Sequence, residues 1–123
     1  VSISGASDHL LVQIGTGGSP TSTGYSASGL YSTISTTGVS LTAGIPFASG
    51  AGGSAALTWS GVITICRISS TEWAIAGTLA SSGGAMLVSS GSVALAGQLD
   101  YLRLTTIAGS ATFDAGKVNI YYQ

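Results

Sequence analysis

The stretch "ALTWSGVITICRIS", residues 56–69, is the one whose reading decides the fold. Its apolar residues show no sustained 3.6-residue period, so it reads as a long β-strand and not as a helix. The same reading extends downstream to "EWAIAGTLA" at 72–80, "AMLVSSGSVALAG" at 85–97, "LDYLRLTTI" at 99–107 and "KVNIYYQ" at 117–123. Upstream it takes in "HLLVQIG" at 9–15. Good helix formers are scarce, and glycine or β-branched residues break nearly every window. The chain is therefore expected to be all-β.

Alternation assigns faces, because successive side chains of a strand point to opposite sides of its sheet. Leu10, Val12 and Ile14 share one face, as do Trp73, Ile75 and Leu79, then Leu102 and Leu104, and Val118, Ile120 and Tyr122. Gln13, Thr78, Arg103, Lys117 and Asn119 lie opposite them. One dry and one wet face per strand is the pattern of two antiparallel sheets packed face to face, an antiparallel β-sandwich of jelly-roll type. The segments "GTGGSPTSTG" (15–24), "ASGAGGSAA" (48–56) and "SSGG" (81–84) carry turn chemistry and read as loops. With 123 residues and no visible internal boundary, residues 1–123 form a single domain.

Composition narrows the function classes. Charged residues make up only 6% of the chain, against about a quarter in an ordinary soluble domain. A surface wetted by Ser, Thr and Gly keeps little repulsion between neighbouring copies, which suits life inside an assembly. Three basic against four acidic residues leave no footprint for a phosphate backbone, so nucleic acid is not an expected partner. No apolar run reaches the about 18 residues of a membrane-spanning helix, so no membrane insertion is expected. The single cysteine, Cys66, sits in an apolar run and reads as a buried structural thiol.

Each constellation that could carry chemistry fails on its mechanics. "ATFDAGKV" at 111–118 imitates a phosphate-binding loop, yet Ala111 replaces the first glycine and Val118 the hydroxyl that would hold Mg²⁺. A strand and not a helix follows it, so "DAGK" reads as a tight turn with Asp114 and Gly116 at its centre. Asp8 and His9 could be joined on paper to many serines, but no nucleophile elbow accompanies them. Folding could bring Asp8 or Asp100 beside Asp114. One His and one Cys cannot make a zinc site, and no Asp-rich loop supports calcium at Asp8, Asp100 or Asp114. No catalytic residue, metal ligand or cofactor site is assigned. Trp73 shares the apolar face with Ile75 and reads as core. Tyr101 and Tyr121 fall on polar faces and, with Tyr25 and Trp59, are the candidates for contact with a ligand or a neighbouring subunit.

"ISGASDHLLVQIGTGGSPTSTGY" at 3–25, "STEWAIAGTLA" at 70–80 and "LAGQLDYLRLTTIAGSATFDAGKVNIYYQ" at 95–123 together resemble a domain of tailed-bacteriophage virion proteins. The resemblance is clear at both ends and loose between 26 and 69. It implies a β-sandwich module of a virion structural protein, often of tail fibres, with no catalytic residues to carry over. It also implies a further apolar strand before the "SISGAS" turn, so the expectation is either that the chain is a fragment or that its first sheet has an open edge for another chain to cover. On this reading the protein is assembled in the host cytoplasm into the virion, as a non-enzymatic tail-fibre or tail-tip module. It would be a homotrimer in contact with other virion proteins and host surface glycan. The alternative is a capsid decoration or assembly protein that clamps neighbouring subunits.

Overall fold

The computed structural model describes residues 1–4, 8–48, 55–109 and 111–122. Most of the 48–56 loop and residues 5–7 of the opening turn lie outside the described residues. Among the described residues all regular structure is β-strand: β1 (Ser2–Ser4), β2 (Leu10–Thr16), β3 (Ser19–Pro20), β4 (Ser26–Ser32), β5 (Thr36–Leu41), β6 (Ile45–Ala48), β7 (Trp59–Arg67), β8 (Glu72–Ser81), β9 (Met86–Ala94), β10 (Tyr101–Thr106) and β11 (Thr112–Ala115). Every pairing is antiparallel.

The largest sheet has the order β5-β4-β9-β8-β7. Its heart is the meander β7-β8-β9, whose β8–β9 turn closes with the Ser81 amide donating to the Ala85 carbonyl and the Ala85 amide donating to Ser81 Oγ. Gly84 takes the positive φ of 79° that this turn requires. The second sheet is centred on β2. β10 pairs along one edge of β2 from Leu10 to Gly15, so β6, opposite Leu10–Val12, and β3, opposite Gly15 and Thr16, must divide the other edge. The β2–β3 hairpin turns on Gly17 and Gly18, at φ 66° and 73°, as a two-residue turn with both central residues left-handed demands. β1 pairs with β11.

The core lies between the two large sheets because both contribute to each of its apolar clusters. One joins Leu10, Val12 and Phe47 from the β2 side to Trp59, Leu79 and Leu87 from the five-stranded sheet. The other joins Ile14 and Ile45 to Tyr25, Ala27, Ile75 and Val93. β6 can sit this close to the five-stranded sheet because the residues beneath it are small. A Cβ on Gly91 would come within 2.7 Å of Ile45 Cδ1, and one on Gly29 within 3.1 Å of Pro46 Cγ.

Three sequence expectations are corrected. Residues 117–122 are not a strand, and Val118, Ile120 and Tyr122 are exposed and do not close the core. Their alternation is suitable, but they pair with no strand among the described residues; β11, which ends at Ala115, pairs with β1 instead. Cys66 is exposed, because it points away from the core on β7. Gln13, expected on a wet face, is buried. The Arg103 guanidinium covers it, donating to Gln13 Oε1 from Nε at 3.0 Å and from Nη2 at 2.6 Å, while Gln13 Nε2 donates to the Ala43 carbonyl.

Candidate interaction surface

The five-stranded sheet has two unlike faces. Toward the core it presents Leu87, Leu79, Ile75 and Val93, with Ser89, Gly77 and Gly91 between them. Away from the core the register aligns side chains into cross-strand rows. One row is Gly38, Leu30, Val88, Thr78 and Val62. The next is Ser40, Ser28, Ser90, Ala76 and Thr64. A third, on the far side of the first, holds Thr36, Ser32, Met86, Ala80 and Ser60. Beyond the second row come Ser26, Ser92, Ala74 and Cys66. None of these side chains carries a charge.

Leu30, Val88 and Val62 are 52%, 45% and 69% exposed, so the first row is an apolar ridge in water. The second row is a trough of small side chains beside it. In a monomer the outer face of an antiparallel sheet is where charged and large polar residues gather. These four rows hold none, Glu72 standing one row further along β8, and with its exposed aliphatic ridge this face is the candidate interaction surface.

The four aromatic candidates divide. Tyr121 is 89% exposed, and its neighbour Tyr122, which the sequence reading placed in the core, is 91% exposed. Tyr101 is half-buried on β10, opposite Gly15 and two residues from Arg103. Tyr25 and Trp59 are buried, which corrects their assignment as contact residues. Trp59 belongs to the core because its ring packs beside Tyr31, centroids 6.3 Å apart, while its backbone exchanges hydrogen bonds with Val1.

Tyr25 has a structural task. β6 stops at Val12 and β3 starts at Gly15, which leaves the outer edge of Ile14 without a strand. Tyr25 Oη fills the gap: it accepts from the Ile14 amide at 2.8 Å and donates to the Ile14 carbonyl at 3.2 Å. Burial pushes the phenol above its ordinary pKa, against smaller lowering contributions from the Ile14 backbone and Arg103. Periodicity could not disclose this, since Tyr25 lies outside any strand and meets Ile14 through the fold alone.

The acidic residues are engaged separately. Asp100 accepts from the Gly17 and Gly18 amides, Asp8 from the His9 and Ala108 amides, and Asp114 from Ser2 Oγ. Each ties one loop or strand end, and among the described residues no three His, Cys, Asp or Glu side chains gather as a metal site would require. The His9 Nδ1 is buried without a partner among the described residues, and Asp8 reaches the backbone amide of His9, not its ring. The structure does not assemble Asp8, His9 and Asp114 into one site.

No protein-family model, curated protein or solved structure matches this chain.

Proposed function

We propose that this chain is a non-enzymatic structural module of a tailed-bacteriophage particle, placed at the tail fibre or tail tip, where it contacts the host surface. Its fold on this reading is a β-sandwich of jelly-roll type. The shared core between two sheets supports the sandwich, and the order β4-β9-β8-β7 supports the Greek-key connection of a jelly roll, because the last strand of the meander, β9, returns beside the earlier β4. The observation that carries the host-contact reading is the pair Tyr121 and Tyr122, two nearly fully exposed rings on a protein with few charges. Exposed tyrosines offer flat apolar faces and a hydroxyl, the combination that stacks on sugars and occurs at interfaces. Host surface glycan is the expected ligand, and the oligomer is a homotrimer where fibre symmetry applies.

The test is adsorption of the purified oligomer to host cells and to a glycan array. Binding should fall about tenfold or more in the Tyr121→Ala, Tyr122→Ala double variant, at the loss of about 1.5 kcal/mol or more that exposed stacking provides. Absence of binding by the intact oligomer would overturn host contact. A second reading, a capsid decoration module that clamps neighbouring subunits, is favoured by the four uncharged rows on the outer face of the five-stranded sheet. Locating the chain in a density map of the whole particle separates the two: tail density sustains the first, shell density the second.

A further inference from the structure

The outer face of the five-stranded sheet has relief as well as four uncharged rows. Its ridge, Leu30, Val88 and Val62, runs parallel to the trough of Ser28, Ser90 and Ala76, one row further along the strands. A face with one ridge beside one trough is complementary to itself. Rotation by 180° about an axis lying in the interface, parallel to the rows and midway between them, places the ridge of one copy over the trough of the other. Val88 then lies over Ser90 of the second copy, and Leu30 over Ser28.

The area is sufficient. Five strands at about 4.8 Å and seven residues at about 3.3 Å span about 24 Å by about 23 Å. A pair of such faces therefore hides on the order of 1,100 Å², which clears the about 1,000 Å² expected of a specific interface. A partner whose matching surface carried charges would leave them desolvated opposite groups that cannot compensate them, whereas a second copy brings none in the four rows and only Glu72 at their rim. Aligned packing of two sheets, about 30° apart, is the ordinary geometry for such an interface.

We propose that two copies of this chain pair face to face through the outer surface of β5-β4-β9-β8-β7, about a twofold axis. The pair rests on the assembly reading above and names its surface, partner and symmetry. Where the threefold contact also forms, twofold pairing joins two trimers into a hexamer.

Sedimentation velocity and light scattering of the purified chain between about 1 and 100 µM test it. The expected result is a dimer, or a hexamer, for the wild type. Val88→Lys, which buries two unpaired ammonium groups per pair, should raise the dissociation constant of the twofold contact about 100-fold or more. Val88→Thr, keeping shape without charge, should pair nearly as well. Circular dichroism and thermal melting confirm that both variants fold, since residue 88 is exposed in the single chain. A wild-type monomer or lone trimer throughout this range, or an assembly indifferent to Val88→Lys, would overturn the proposal. Either result would leave the host-adsorption reading standing, because that assay reads Tyr121 and Tyr122 and not the sheet face.

Discussion

Replacing Tyr25 by Phe removes one oxygen from the core and tests whether that oxygen completes the β2 edge. The phenyl ring keeps its place beside Ile14, Ala27 and Ile75, so no cavity opens and the apolar burial is retained. The Ile14 carbonyl keeps one partner, the Thr21 amide at 2.9 Å. The Ile14 amide keeps none, because it lies in the gap between β6 and β3 and donates to Tyr25 Oη. One buried donor without an acceptor costs about 1–3 kcal/mol. At the midpoint of that range, a domain of this size should melt about 8 °C lower. Urea denaturation should show the loss with an unchanged m-value, since the surface exposed on unfolding is the same. The sign with pH follows from burial, which holds the folded phenol above the ordinary 10.0. Below about pH 10 both folded and unfolded chains keep the proton, and this contribution is fully present; as pH rises through the folded value it is lost. The gap between wild type and Tyr25→Phe should therefore narrow above pH 10. A deficit under about 0.5 kcal/mol at neutral pH would refute the assignment of Tyr25 as a surrogate ladder partner.

Three further expectations follow from named contacts. Gly91→Ala places a Cβ 2.5 Å from the Ser26 carbonyl oxygen and 2.7 Å from Ile45 Cδ1, so it should destabilise by about 1–3 kcal/mol in urea titration, where an ordinary Gly-to-Ala change in a strand would be mild or favourable. Asp100→Ala removes the acceptor of the Gly17 and Gly18 amides at an exposed turn that water can reach; about 0.5–1 kcal/mol should be lost, with faster hydrogen exchange at both amides. In the Val88→Lys variant, whose sheet face stays unpaired, Cys66 should react with a neutral thiol reagent in native buffer, and protection until denaturant is added would contradict its exposed position on β7.

What the sequence made legible was the meander. The strands expected at 56–69, 85–97 and 99–107 contain β7, β9 and β10, and those at 72–80 and 9–15 overlap β8 and β2, because each alternates in a strand's period, although Leu102 of β10 is left exposed. The inward assignment of Ile75 and Leu79 and the outward one of Thr78 follow from the same period. β4 and β5 escaped because "SASGLYS" and "TTGVSL" place small or polar residues on both faces. Their inward Gly29 and Ala27 are selected for the close approach of β6, which local pattern does not record. The misreadings of Cys66 and of residues 117–122 share a cause. Each equated an apolar run with burial in this chain, yet burial also requires a partner surface, and on the outer face of β7 and along 117–122 the described residues supply none. The same reasoning turns the low charge from a compositional oddity into a structural statement. Few charges in the whole chain need not have meant an uncharged ridge, but the register collects Leu30, Val88, Thr78 and Val62 into one unbroken row, with Glu72 three rows further along β8. A sheet so patterned resembles the interior of a larger β-assembly more than the skin of a monomer, and only the fold brings that pattern together from β4, β7, β8 and β9.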